Sequence, residues 1–569
     1  MHPLGNDLIL GAQLQTGAPV VLSRSARSQH MHISGATGTG KSKGMEYLIR
    51  QDIANWRRSG SGMLVLDPHG SLYDGVISWL ASSGVQRPVV PIDLRSADWI
   101  VAYNLLRRRD KASPAVVIDS IVNAFAHAWN AGDMDKTPLL ARWLSNLLQT
   151  LYEKGATLVE AIHLIDSPDV RAAMTVDLKD KLTQRDWRLA ASLSTKDFEQ
   201  LLASTVNRLQ RFLRSDMLRM IFGQADVSLD LRTALDEGWI ILVCLAPEGA
   251  NVSRENSDLF ATLLLSDLWT AAQERGKRAG LKPFYLYIDE FQRYVTPAIA
   301  EGLDQARGFG IHATLANQHM GQLRHRGEIG ELIHDSVMEN ASSKMVFRLT
   351  DEANLRPMAQ WLFRGTMNPD EIKCQLYSTK VLAYREEMRT TITHGRSSSS
   401  GGGTSTSASS GGDCDGEDAL WESSGSGDTE SWTTGESESI SQTPTLIPVL
   451  GKEALPPQFR SLDEQVFRAM AALFDQPDRQ CVARLVGMRL PISLRTHTIQ
   501  EGTHNPVRLR KYVESCYQKL PFALRQQEAI KRMIERENAF LHAMFGEAAA
   551  SLEPVGGGRR IVRRAKMNE

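Results

Sequence analysis

A parallel α/β sheet carrying an all-helical insert is the fold class this sequence predicts, and three observations predict it. Short apolar runs such as Met63–Leu66, Trp239–Leu245 and Phe284–Ile288 recur with helical segments between them. Continuous rather than alternating apolar strands imply a sheet covered on both faces, as parallel sheets are. From about Ser113 to Glu237 the strand signals vanish and helical periodicity takes over. The composition then changes abruptly at Arg396, where Ser, Gly, Thr and acidic residues run to about Ser441.

In chain order, His30–Ser34 reads as a short strand ending at a glycine-rich loop. Lys41–Trp56 reads as a helix with Met45, Leu48, Ile49, Ile53 and Trp56 on one face. Strands follow at Met63–Leu66, stopping at Asp67-Pro68-His69-Gly70, and at Val89–Ile92, stopping at Asp93. Within the helical stretch Thr137 is placed to cap and Pro138 to occupy the first helical position. The stripe Leu140, Trp143, Leu144, Leu147, Leu148 and Leu151 behind them is core packing rather than a cofactor box. Strands return at Trp239–Leu245, Phe284–Ile288, Ile311–Ala316 and Lys344–Leu349, joined by helices such as Ser257–Arg275.

The Arg396–Ser441 segment cannot bury enough apolar area to offset chain entropy and is expected to be disordered. A solvated linker is its simplest role, and a docking peptide carried by Trp421 or Trp432 is the alternative. Leu462–Phe474 then reads as a helix, Cys481–Ile499 as one or two strands, and Arg508–Phe545 as helical. The expected division is 1–110 and 238–395 as two parts of one α/β domain, with 111–237 as its all-α insert. Residues 396–441 form the disordered segment, 442–550 a C-terminal α/β region and 551–569 a basic tail.

At 569 residues the chain is too long for one compact core. Its 42% hydrophobic and 23% charged content are those of a soluble globular protein. A net charge of −1 leaves nucleic-acid contact to local basic patches, or to a ring in which several copies align a few cations each. Five scattered cysteines, without a CxxC pair or a Cys/His cluster, argue against a disulfide framework and a structural zinc. Cys244, inside an apolar run, reads as a buried small hydrophobe. No run of 18 apolar residues exists, and the N-terminus lacks a signal-peptide pattern, so a cytoplasmic protein is expected.

Gly35-Ala36-Thr37-Gly38-Thr39-Gly40-Lys41-Ser42 matches GxxxxGK[ST] in full, after a strand and opening a helix. Glycines let backbone N–H groups turn inward around a phosphate, and the helix N-terminus adds partial positive charge. Lys41 would bridge the β- and γ-phosphates and Ser42 would hold Mg²⁺. Such a site needs an acid at the end of an apolar strand, and Phe284–Ile288 delivers Asp289 and Glu290. Asp289 would bind the metal and Glu290 would polarise the attacking water.

Met63–Asp67 also ends in an acid, but no Glu follows, so Asp67 and His69 read as residues bordering the site. Gln318, just past the strand Ile311–Ala316, is placed to contact the γ-phosphate or water. Arg307, ending the preceding helix, is placed either to face a neighbouring subunit or to cap its own helix. Arg348 is a weaker candidate for the same duty.

Taken together, GATGTGKS, VLDPHGSLYD, the helical insert, Asn104 in Tyr103-Asn104-Leu105 and YIDEFQRYVTPAIAEGLDQARGFGIHATLANQH resemble the FtsK–HerA superfamily of DNA-pumping ATPases. The resemblance is nearest to the TraG/TraD-like coupling ATPases of conjugation and type IV secretion, and it covers about Gly11 to Ala359. It implies a RecA-like P-loop NTPase using ATP and Mg²⁺, and a homo-oligomer, a hexameric ring around DNA. It also implies the roles given above to Lys41, Ser42, Asp289, Glu290 and Gln318, with Arg307 as a finger acting in trans. Membrane-bound coupling proteins carry N-terminal transmembrane helices, whereas here the motor fold begins almost at residue 1. The expectation is therefore a soluble DNA translocase serving conjugative transfer, with a relaxase or a separate membrane subunit as partner. Two alternatives stand beside it: a HerA-like motor working with a nuclease in DNA processing or anti-phage defence, and a nucleotide-gated scaffold that does not pump.

Overall fold

The computed structural model describes residues 7–545 apart from 130–137, 250, 279, 295, 319, 325–327 and 396–436. Two compact units are formed, one by residues 1–367 with 463–569 and the other by 368–462.

The larger unit is built on an eleven-stranded sheet. Its parallel part runs in the spatial order Ser343–Phe347, Met31–Ser34, Ile311–Asn317, Phe284–Ile288, Gly62–Asp67, Ile240–Cys244 and Val89–Asp93. Each of these strands is buried along nearly its whole length, and successive residues point to opposite faces. Thus Leu64 and Leu66 enter the core on one face while Met63 and Val65 enter the core on the other. Cys244 is fully buried, as its apolar run implies.

Beyond Ser343–Phe347 the sheet continues antiparallel through Gln480–Arg484, Ile492–Arg495, Leu8–Gln13 and Pro19–Leu22. The C-terminal region drawn as 442–550 is therefore divided: 442–462 falls in the smaller unit, and the part from 463 onward is not set apart from the large sheet. Its hairpin, together with the helices Pro506–Gln518 and Gln526–Phe545, belongs to the same compact unit as the phosphate loop. The N-terminal strands were not foreseen, and Gly11 shows what their closure demands. A Cβ there would stand 2.3 Å from the Arg495 carbonyl oxygen, so only glycine lets the two edges meet.

The helical insert is all-helical among the described residues from Pro114 to Glu237. Helix starts are fixed by side-chain caps at Ser113, Ser167, Asp180, Ser194, Ser215 and Asp230. The stripe on helix Pro138–Glu153 is buried as expected, and Trp187 packs edge-on against Trp143 while donating its ring N–H to Thr150 Oγ1 at 2.9 Å. Thr137, expected to cap that helix, lies outside the described residues.

The smaller unit is dominated by a two-stranded antiparallel ribbon, Tyr377–Gly395 with Ser437–Ala454, paired from Tyr377↔Ala454 to Gly395↔Ser437 with one register shift between Val381 and Ala383. The motor boundary drawn at 395 and the disordered boundary drawn at 441 both need moving: residues 368–395 belong to this unit, and 437–441 are strand. Polar Thr, Arg and Glu residues break the apolar runs by which buried strands are recognised, so an exposed ribbon leaves a weak pattern. Most of the Ser/Gly segment, with Trp421 and Trp432, and the basic tail lie outside the described residues.

Candidate active site

The loop Gly35–Gly40 is pinned between the ends of two flanking strands. Gly35 N–H donates to the Asn317 carbonyl at 3.3 Å, and Ala36 N–H donates to the Arg348 carbonyl at 2.9 Å. Two of its glycines are required by backbone shape, since Gly38 (φ 81°) and Gly40 (φ 103°) lie in the left-handed region. Inside the loop, Thr39 Oγ1 donates to the Ala36 carbonyl at 2.8 Å.

Helix Lys41–Ala54 begins directly at Gly40, with no side chain capping its first N–H groups. Uncapped donors at a helix N-terminus, wrapped by a glycine loop, fit a phosphate. The donor set beside them, the Ser42 hydroxyl and the Asp289 carboxylate, is hard oxygen and fits Mg²⁺, which takes few protein ligands.

Lys41 joins the loop to the acidic pair. Its Nζ donates to Asp289 Oδ1 at 2.7 Å and to Glu290 Oε1 at 2.8 Å, with the Lys41 side chain only 5% exposed. Burial works against the Lys41 charge, but the two carboxylates outweigh it and hold the pKa above the ordinary lysine value. Burial alone would raise the Glu290 carboxyl; Lys41 more than offsets this and holds it below its ordinary value.

Glu290 adopts a left-handed backbone (φ 50°), which is uncommon outside glycine. Its second oxygen accepts from Gln292 Nε2 at 2.7 Å, so lysine and amide together fix the carboxylate. Gln292 escaped the sequence reading, because a glutamine two residues after the acidic pair carries no motif of its own.

Gln318 does reach the loop: its Oε1 accepts from Thr37 Oγ1 at 2.7 Å. Asp67 is fully buried with its pKa raised by that burial, and its two oxygens accept from His69 N–H (2.9 Å) and Tyr73 N–H (2.8 Å). It shapes the turn into helix Ser71–Ser83, where His69 is exposed.

Arg307 is exposed in a short 3₁₀ turn, Arg307–Phe309, before strand Ile311–Asn317. The phosphate loop meets the other end of that strand, about 20 Å away at roughly 3.3 Å per residue. Arg307 is therefore not brought to its own site. Arg348 pairs with Asp478 at 2.9 Å and is otherwise a loop neighbour.

A glycine loop opening a helix, with its lysine ion-paired to an acidic couple on a nearby strand end, defines a P-loop nucleotide-binding site. Residues 15–376 match the sequence family described as the type IV secretion-system coupling protein DNA-binding domain, and the chain belongs to that family. Among solved structures it is similar to the bacterial conjugative coupling protein TrwBΔN70 in its unbound monoclinic form, at 14% identity, with 87% of this chain and 90% of that one covered and a TM-score of 0.46. TrwB in complex with ADP and Mg²⁺ gives 14% identity, 87% and 91% coverage, and a TM-score of 0.46. VirB4 of Thermoanaerobacter pseudethanolicus gives 14% identity, 62% and 87% coverage, and a TM-score of 0.38. No curated protein sequence matches the chain. Among the described residues no helix is long and apolar enough to cross a membrane.

Proposed function

We propose that the chain is an ATP-hydrolysing DNA translocase of the coupling type, working in the cytoplasm as a homo-hexameric ring during conjugative or type IV DNA transfer. The observation that carries this reading is Lys41, held at once by Asp289 and Glu290 at the opening of an uncapped helix, in a chain of the coupling-protein family. TrwB, to which the fold is similar, has been solved with ADP and Mg²⁺ and with a non-hydrolysable ATP analogue, which supports the same ligands here.

The geometry supports the following roles. Residues Gly35–Ser42 bind the phosphates through backbone N–H groups, and Lys41 adds its charge at the β–γ end. Ser42 and Asp289 would hold Mg²⁺, which offsets phosphate charge and orients the terminal group when bound. Glu290 takes the proton of the attacking water at a carboxylate oxygen, steered by Gln292. While Lys41 sits on it, Glu290 is a weak base, because the ammonium stabilises its ionised form. Transfer of Lys41 to the phosphates relieves that restraint, so hydrolysis waits for a correctly seated nucleotide.

Arg307, exposed and far from its own loop, completes the site of an adjacent copy, which ties turnover to ring assembly. A relaxase delivers the DNA, and a separate membrane subunit anchors the ring. The test of this reading is a solution mass measurement with double-stranded DNA and a non-hydrolysable ATP analogue. A ring-sized assembly on DNA is expected; a monomer at all concentrations, with no DNA bound, contradicts the proposal.

A further inference from the structure

The sheet order leaves one side of the phosphate loop without an assigned role. Strand Met31–Ser34, which leads into the loop, lies between Ile311–Asn317 and Ser343–Phe347. Lys41 points to the acidic pair on the Ile311–Asn317 side, so the terminal phosphate belongs there. The nucleoside end must leave the loop elsewhere, and the other flank is built by the C-terminal hairpin.

At that flank the turn entering strand Gln480–Arg484 lies directly on the loop. Arg479 N–H donates to the Thr39 carbonyl at 2.8 Å. A Cβ added to Gly40 would come within 3.3 Å of the Arg479 Cα and Cγ. The preceding residue, Asp478, pairs at 2.9 Å with Arg348, whose carbonyl holds Ala36. Two consecutive residues of this turn thus reach both ends of the phosphate loop.

Arg479 also has a backbone φ of 66°, a left-handed conformation that is strained for a non-glycine residue. A glycine would fit there without strain, yet the position holds a long cationic side chain. Its Nη2 donates to the Thr496 carbonyl and to Thr498 Oγ1, which hold the guanidinium against the turn. Its Nε and Nη1 have no protein partner among the described residues, yet the residue is exposed. A planar cation fixed at its edge, with remaining donors open, suits an aromatic base and a ribose hydroxyl.

We propose that Arg479 is a positioning residue for the nucleoside half of ATP, supplied by a segment beyond the family-matched 15–376. The inference rests on the nucleotide reading of Gly35–Ser42. It assigns the C-terminal hairpin a direct part in the site: phosphates are held by the loop, and sugar and base by the turn.

The experiment is equilibrium binding of ATP, ADP and inorganic tripolyphosphate to the full chain, with melting temperature measured without ligand. Arg479→Gly suits the backbone and removes only the side chain; Arg479→Lys keeps the charge and loses the plane. Both variants should weaken ATP and ADP by about fivefold to tenfold, the size of one hydrogen bond or stacking contact. Tripolyphosphate binding should stay within twofold, with melting temperature unchanged. Unaltered ATP binding in Arg479→Gly overturns the proposal. So does an equal loss for tripolyphosphate, or a lowered melting temperature, because either means that the loop itself was disturbed. Lys41→Ala is the control: if it binds all three ligands as the parent does, the nucleotide reading fails rather than the role of Arg479.

Discussion

The two flanks of the phosphate loop are built in different ways. On one flank, Ile311–Asn317 and Phe284–Ile288 continue the parallel sheet and deliver Gln318, Asp289 and Glu290 from residues close to one another in sequence. On the other, Ser343–Phe347 is parallel, but its next neighbour is Gln480–Arg484, antiparallel and more than a hundred residues later in the chain. The first flank carries the carboxylates. The second brings no carboxylate to Lys41 and instead presents Arg348, Asp478 and Arg479 to the loop. The comparison separates a reacting side from a holding side, and each can be perturbed without the other.

The largest loss expected on the reacting side, outside the loop itself, comes from Arg307→Ala. A cation supplied in trans is worth roughly 10³-fold or more in related phosphoryl transfers, so the variant should bind ATP and assemble yet hydrolyse poorly. Mixing it with Lys41→Ala should restore part of the activity, since one subunit then gives the finger and the other the loop. No recovery at any mixing ratio, in assemblies shown to exchange subunits, would mean that Arg307 only ends its helix.

Glu290→Gln comes next. It keeps the shape and the Lys41 contact but cannot take the proton, so turnover should fall about 10²-fold or more while ATP binding survives. Loss of binding would reverse the roles given to Asp289 and Glu290.

The smallest effect lies at the junction of the two flanks. Lys344, on strand Ser343–Phe347 opposite His32 of the phosphate-loop strand, is fully buried. Its Nζ donates to the Met338 and Ala341 carbonyls at 3.0 and 2.7 Å, and burial lowers its pKa to about 7. The unfolded lysine titrates near 10.4. Between about 7 and 10.4 the unfolded chain therefore binds the extra proton, and stability rises with pH by up to about 1.4 kcal/mol per unit. Lys344→Met should flatten unfolding free energy against pH between 7.5 and 9.5. An unchanged slope would show that this lysine stays charged in the fold.

The reacting side was legible because its signals are local. The loop motif sits on eight consecutive residues, and the acidic pair ends the apolar run Phe284–Ile288. The helical insert was legible through its periodicity, as Leu140 to Leu151 illustrate. The holding side was not. Cys481–Ile499 reads as strand, but nothing in it names Ser343–Phe347 or Leu8–Gln13 as partners, because antiparallel pairing at long range leaves no spacing to read. Arg479 escaped for the same reason: its role comes from the carbonyl of Thr39, which only the folded sheet brings near. The ribbon Tyr377–Gly395 with Ser437–Ala454 escaped because exposed strands need no apolar pattern.

The claim that the loop and acidic pair form an ATP-driven DNA motor is tested most directly by steady-state ATP turnover of the full chain, with and without double- or single-stranded DNA, beside Lys41→Ala. The expected result is turnover that DNA increases several-fold or more, and none detectable in Lys41→Ala, whose melting temperature without nucleotide stays close to the parent's. Turnover in Lys41→Ala within a few-fold of the parent, or a parent rate indifferent to both forms of DNA in assemblies shown to bind them, would contradict it.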